Sequence, residues 1–384
     1  MKLNRIELRK ISETGAEVIW SANIQSNTVY YTWGQVGGKL QTEEVTFTDG
    51  KNIGRANETT PEEQCLFEAC RKARKKVEKG YNIVKGAELI TEQTSDTVVT
   101  HGGDVPFCML AETLSKHLKK LDGLGSVDVQ PKLDGNRCLI NIDTCELYSR
   151  SRKQITSIPG LGEEVAKRCK NLVKKGVKWV DGELYSDELS FNDIQSVIRK
   201  KEAHELAGKI KFNMYDILLK KPWRERKHIM AIGTDFGGRL DEVLSTMVDA
   251  NLETIEKWNQ TFVAQGYEGV IVRLLDEVYE NKRSRGLLKH KTFMDAEYKV
   301  IGFQSEKNRA DILGAVILVT KDGTEFNARP AVPDDVKQFI WKNQKGYLGL
   351  MATVKFQELD GKSGIPRFPV LKGFRAESDI ETDR

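Results

Sequence analysis

The segment KLDGNR, Lys132 to Arg137, holds the residue types of a nucleophile site. A lysine amine attacks only when unprotonated, and its ordinary pKa is about 10.4, so desolvation or neighbouring positive charge must activate it. Asp134 and Gly135 would shape a tight turn that presents the amine, and Arg137 carries the planar fork that binds a phosphate bidentately. More such residues follow in order. SRSRK places Arg150 at a strand end, DGELY offers Glu183, and FNMYDIL sets Tyr215 inside an apolar run. GYEGVIVR flanks Glu268 with glycines, and LLKHK puts Lys289 and Lys291 on one side of a strand. Singly, each has a plainer reading: Tyr215 as core filler, the glutamates as surface charges, the lysines as an edge-strand guard. In combination, lysines around a phosphate would stabilise charge and, by repulsion, depress the pKa of Lys132.

Those segments need elements to hold them. RCLINID and ELYSRS read as strands joined by a short turn at Asp143 to Cys145. Leu161, Val165, Cys169, Leu172 and Val173 mark an amphipathic helix after them. This mixed block runs from about 105 to 295. Ahead of it, residues 1–90 alternate polar and apolar positions and then turn helical. Thr60 can cap that helix, Pro61 suits its first position, and Glu63 completes a capping box. Its apolar members are Leu66, Ala69, Cys70, Ala73 and Val77; the rest carry Arg71, Lys72, Arg74, Lys75, Lys76 and Lys79. Taken alone, such a charge run is a solvated face. A polar, glycine-containing linker is expected at 91–104. From 296 to 384 the chain is mostly strands, with an Asp322-Gly323 hairpin turn and a short helix near 334–341, which suits a small barrel.

The bulk properties bound what these residues can be doing. At 384 residues the chain suits two or three domains. Its net charge of +4 comes from 60 basic and 56 acidic residues, so any basicity that matters is local. No apolar run approaches the roughly 20 residues of a membrane span, and MKLNRIELRK has no apolar signal core. The six cysteines form no CxxC pair and the five histidines do not cluster, which argues against a zinc site or a disulfide framework. An intracellular, reducing location is the expectation.

The ordered motifs together resemble the covalent nucleotidyltransferase superfamily of ATP-dependent DNA ligases, RNA ligases and mRNA capping enzymes. KLDGNR resembles motif I, SRSRK motif Ia, DGELY motif III, FNMYDIL motif IIIa, GYEGVIVR motif IV and LLKHK motif V. PRFPVLKGFR, 366–375, resembles the last motif of the OB-fold domain of DNA ligases. The resemblance implies a lysyl-AMP formed on Lys132, with Arg137 and Arg150 holding AMP and the 5′-phosphate of a nick. Glu183 would contact ribose or a metal, Tyr215 would stack on adenine, Glu268 would bind metal, and Lys289 and Lys291 would face the α-phosphate. Arg375 would orient pyrophosphate in the first step. Gln130 stands where the family commonly has a glutamate; its amide oxygen can still accept from the adenine amino group.

TVYYTWGQVGGKLQTEEVTF and the basic helix after it are similar to a WGR domain, with Trp33 and Gly34 in place and Gln35 where arginine usually sits. That likeness implies a DNA-facing surface built on Trp33, Arg71, Lys72, Arg74, Lys75 and Lys76. The fold expected is therefore multidomain α+β: a small α+β WGR-like domain, a mixed α/β adenylation domain of antiparallel sheets with helices, and a C-terminal OB-fold barrel. The implied enzyme is a monomeric ATP-dependent DNA ligase that uses Mg²⁺ or Mn²⁺ on nicked double-stranded DNA. An RNA ligase or capping guanylyltransferase shares motifs I to V, and a non-catalytic DNA-break scaffold is a third reading. The chemically competent Lys132, Glu183, Glu268, Lys289 and Lys291 speak against the scaffold.

Overall fold

The computed structural model describes residues 5–12, 15–52, 54, 58–77, 79–87, 90, 105–306, 309–360 and 363–375; the linker expected at 91–104 lies outside them. The chain divides into two compact units, Met1–Glu44 with Asp49–Lys291, and Val45–Thr48 with Thr292–Arg384. The N-terminal and middle blocks thus belong to one unit. No helix among the described residues is long and apolar enough to cross a membrane.

The first unit begins with strands β1 (Arg5–Ile11), β2 (Glu17–Gln25), β3 (Thr28–Gln35), β4 (Gln41–Thr46) and β5 (Asn82–Lys85), in the sheet order β4-β3-β2-β1-β5. Helix α1 (Pro61–Val77) packs on this sheet. Its start is the expected capping box: Thr60 Oγ1 accepts from the Glu63 amide at 3.2 Å, and the Glu63 carboxylate accepts from the Thr60 amide at 2.8 Å. The buried stripe is Cys65, Ala69, Cys70, Ala73 and Val77, with Leu66 only half-buried at its margin. Glu68 is buried in the same stripe, which requires partners. Lys51 and Arg71 supply them, each at 2.6 Å.

Two further sheets face each other across the middle block. One is built from β6 (Leu110–Thr113), β7 (Ser126–Lys132), β14 (Thr246–Asp249), β15 (Gly269–Arg273) and β16 (Arg283–His290), ordered β14-β7-β15-β16-β6. The other holds β8 (Asn136–Asn141), β9 (Leu147–Ser149), β10 (Gln154–Ile155), β11 (Trp179–Tyr185), β12 (Lys211–Ile217) and β13 (Leu240–Glu242), ordered β10-β9-β8-β11-β12-β13. The β8–β9 turn forms as expected, because Asn141 Oδ1 accepts from the amides of Asp143 and Thr144 and Cys145 adopts φ +62°. The helix Leu161–Arg168 is shorter than its apolar pattern: Leu161, Val165, Cys169 and Leu172 are buried, but the chain breaks at Cys169 and leaves Val173 exposed. Behind the second sheet lies the largest core, including Ile140, Val180, Phe212, Met214 and Trp223.

The second unit is a closed barrel of β17 (Met294–Glu306), β18 (Arg309–Val319), β19 (Glu325–Pro330), β20 (Met351–Phe356) and β21 (Val370–Arg375), in the order β17-β18-β19-β21-β20. Its β18–β19 hairpin turns at Asp322-Gly323, where Gly323 adopts φ +88°. The helix Asp334–Lys342 packs on β18.

Candidate active site

Lys132 ends β7, and the turn through Asp134 and Gly135 carries the chain from the first sheet to the second at β8. The turn is tight. A Cβ on Gly135 would lie 2.4 Å from the Leu184 carbonyl oxygen, so only glycine lets the chain pass that close. Across the first sheet, Lys132 pairs with Gly269 and Gln130 with Ile271, which in turn pairs with Lys289. Gly269 has φ +150°, and a Cβ there would meet the His290 carbonyl oxygen at 2.4 Å. That close approach sets Glu268 beside the nucleophile, with the Glu268 amide donating to the Lys132 carbonyl at 2.9 Å. Across the second sheet Arg137 pairs with Glu183. A bulge between Asp181 and Gly182 leaves Tyr215 without a partner in β11; such a bulge re-aims a side chain.

The two sheets enclose a cavity of about 930 Å³. Gln130, Lys132, Arg137, Arg150, Glu183, Tyr215, Lys289 and Lys291, all picked out from the sequence, line it. The Tyr215 hydroxyl donates to Glu183 at 3.3 Å, and its ring lies 5.4 Å from the Arg137 guanidinium. The Glu268 side chain is 6% exposed, and its carboxylate takes the ammonium groups of both Lys132 and Lys291. Arg375 ends β21 in the barrel and is exposed.

Burial leads the lowering of the Lys132 pKa below its ordinary value; Arg137 adds to it, while Glu183 and Asp134 oppose it. The neighbouring lysines, expected to do this by repulsion, are not its main cause. Burial also lowers the pKa of Lys289, with Lys132, Arg283 and Arg150 contributing. Burial pushes the Glu183 carboxyl up to about 7, against the pull of Lys132 and Arg137.

Two of these side chains are already engaged within the fold. The Arg137 fork is engaged along one edge by buried Asp181, Nε at 2.9 Å and Nη2 at 2.5 Å, so a phosphate would have to meet its Nη1 side. Gln130 is 2% exposed, its amide oxygen accepts from Arg273 Nε at 2.6 Å, and its amide nitrogen donates to the Val243 carbonyl at 2.9 Å. Any adenine bond to Gln130 must use the second lone pair of that oxygen.

Sequence reading missed the layer under the pocket. Asp216 is held by Arg226 at 2.8 and 3.1 Å and by Arg273 at 2.6 Å, and Arg273 also donates to the Tyr215 carbonyl at 3.0 Å. Asp216 and Arg273 sit inside the apolar runs MYDIL and VIVR, and a charge in such a run demands a buried partner. That was the available signal.

In the N-terminal domain, Trp33 is half-buried on β3 opposite Trp20. Of the basic residues of α1, Arg71 pairs with Glu68, Lys72 lies 3.8 Å over the Tyr31 ring, and Lys76 lies 5.5 Å over Tyr81. Arg74 is half-buried, while Lys75 is exposed and, with Lys79, reaches the cavity wall.

A half-buried lysine among phosphate-ready cations, with an aromatic ring and two carboxylates, brings together the residue types that covalent nucleotidyl transfer needs. Residues 108–291, which contain every pocket residue picked out from the sequence, match the family model described as the ATP dependent DNA ligase domain. This stretch is an ATP-dependent DNA ligase adenylation domain. The chain is 25% identical over 357 residues to the DNA ligase of African swine fever virus (strain Badajoz 1971 Vero-adapted), covering 87% of this chain and 80% of that relative. It is 28% identical over 236 residues to the DNA ligase of Thermococcus onnurineus, covering 56% and 41%. In fold it is similar to the solved structure Pmar-Lig_Pre, with a TM-score of 0.59, 22% identity and coverage of 76% and 72%. A chain from a structure–function analysis of Lig E DNA ligases gives 0.57, 21%, and coverage of 71% and 100%. The protein is an ATP-dependent DNA ligase, an enzyme that forms phosphodiester bonds.

Proposed function

We propose that the enzyme seals nicks in duplex DNA through an AMP carried on Lys132. The observation that carries this reading is the half-buried Lys132 amine, held by Glu268 in a cationic cavity that Tyr215 also lines. In the first step the Lys132 nitrogen, its proton given up to water, bonds to the α-phosphorus of ATP, and the bond to pyrophosphate breaks. In the second, an oxygen of the 5′-phosphate attacks that phosphorus, the P–N bond breaks, and Lys132 takes up a proton. In the third, the 3′-hydroxyl attacks the 5′-phosphorus, loses its proton to water and displaces AMP.

Lys289, Lys291 and Arg150 stabilise the phosphate charge, which is most of what phosphoryl-type transfer requires. Tyr215 stacks on adenine, and its bond to Glu183 fixes the ring. Arg375, on a barrel we read as an OB-fold, serves the first step. The N-terminal sheet with α1, read as WGR-like through Trp33 and Gly34, serves DNA.

Among the described residues no three His, Cys, Asp or Glu side chains gather as a metal cage. The two carboxylates present, Glu183 and Glu268, suit an ion such as Mg²⁺ or Mn²⁺ that keeps waters and takes phosphate oxygens from the substrate. Bound there, it would supply positive charge at the α-phosphate.

The test is incubation with Mg²⁺ and ATP labelled in the α-phosphate. The protein should take up label that survives denaturation and is released by acid, GTP should be a much poorer donor, and Lys132→Ala should take up none. Labelling of that variant at the wild-type level would remove Lys132 from the reaction.

A further inference from the structure

The sequence places every nucleotide motif beyond residue 130, so the N-terminal domain should be irrelevant to the chemistry of the pocket. The structure joins them. Phe107 lies against Gly80, just past the end of α1, where a Cβ would stand 3.2 Å from the ring. The Arg152 guanidinium lies 4.0 Å over the same ring, and Asn281 donates to the Phe107 carbonyl at 2.7 Å. On the other side, Lys10 donates to the Lys79 carbonyl at 3.0 Å, tying the end of α1 to β1. The result is that Lys75 and Lys79, one turn apart, line the same cavity as Lys132, Arg150, Arg283 and Lys289.

Both side chains are exposed, and among the described residues neither has an ion-pair or hydrogen-bond partner. The other lysines of α1 differ. Lys72 and Lys76 cover tyrosine rings of their own domain. Two unpaired cations at the mouth of a cavity whose inner wall already carries Lys132, Lys289 and Arg150 repel one another. Such an arrangement persists for a polyanion.

In-line displacement says which part of the substrate comes there. Lys132 enters at the α-phosphorus in the first step and leaves it in the second. The pyrophosphate that departs and the 5′-phosphate that arrives therefore use the same apical position, on the side away from Lys132. We propose that Lys75 and Lys79 of the N-terminal domain form the outer phosphate-binding wall of the nucleotide pocket, receiving the phosphate oxygens beyond the α-phosphorus. Their source is the β- and γ-phosphates of ATP in the first step and the 5′-phosphate strand in the second. This rests on the lysyl-AMP reading.

The experiment uses the full chain with Lys75→Ala and Lys79→Ala combined, and a companion with Lys75→Arg and Lys79→Arg. One arm follows lysyl-AMP formation against ATP concentration; the other follows transfer of AMP from the charged enzyme to a 5′-phosphate nick, at several salt concentrations. The alanine pair should raise the ATP concentration for half-maximal rate about three- to tenfold, with the rate at saturation kept. It should lower the salt slope of DNA binding by up to about two units. The arginine pair should retain both properties. A loss confined to the first arm assigns the wall to the triphosphate, and one confined to the second assigns it to DNA; either upholds a phosphate wall. Unchanged behaviour in both arms, or a loss that arginine does not restore, overturns the proposal. If the wild-type chain forms no lysyl-AMP, the underlying reading has failed instead.

Discussion

The charged residues of the ligase domain fall into two groups that do opposite things. Asp216, Arg226 and Arg273 are at most 3% exposed, and the Asp216 carboxylate pairs with both arginines. Lys132, Lys289, Lys291 and Arg150 line a cavity in which positive charge outweighs negative. The first group holds the floor on which Tyr215 and Gln130 stand; the second is arranged for a substrate. Charge that is satisfied within the fold contributes rigidity, and charge left in excess at a cavity marks chemistry.

Breaking the first group should have the largest effect. Asp216→Ala would leave two guanidinium groups buried without their carboxylate and should cost about 3–5 kcal/mol of stability, read as a fall in denaturant midpoint. Lys289→Ala should leave the midpoint within about 0.5 kcal/mol of wild type and slow lysyl-AMP formation by about 10²–10³-fold. Equal stability losses in the two variants would erase the distinction.

The smallest expected effect belongs to Glu183, which stands between the groups. Its folded-state pKa of about 7 lies above the ordinary 4.5 because burial disfavours the carboxylate. The folded state therefore binds the proton more tightly, and this contribution to stability is present below the ordinary pKa and lost as pH rises through about 7. Glu183→Gln should accordingly gain in Tm relative to wild type between pH 5 and pH 8. A difference that does not change with pH would show that the carboxyl is not held in this way.

The same division explains what the sequence disclosed. Lys132, Glu183, Tyr215, Lys289 and Lys291, picked out by type and order, do line one cavity. The capping box at Thr60, the Asp143–Cys145 turn and the Asp322-Gly323 hairpin were legible because they are local. The partners of Asp216 were not, since Arg273 is 57 residues away and only tertiary packing brings the two together. Arg137 shows the converse limit: its type suggests a phosphate fork, but nothing local records that its diagonal neighbour Asp181 on the adjacent strand takes one edge of that fork. The basic run of α1 pointed at most to a DNA-facing surface, because nothing local records that Gly80 seats against Phe107 and brings Lys75 and Lys79 to the cavity.

The central claim is that one amine among several in the cavity becomes the nucleophile: burial lowers the pKa of both Lys132 and Lys289, and the tight turn at Gly135 presents Lys132. Adenylylated protein, digested and mapped by mass spectrometry, decides this most directly. The account predicts AMP on the peptide containing Lys132 and on no other lysine of the pocket; AMP on Lys289, Lys291, Lys75 or Lys79 instead would contradict it.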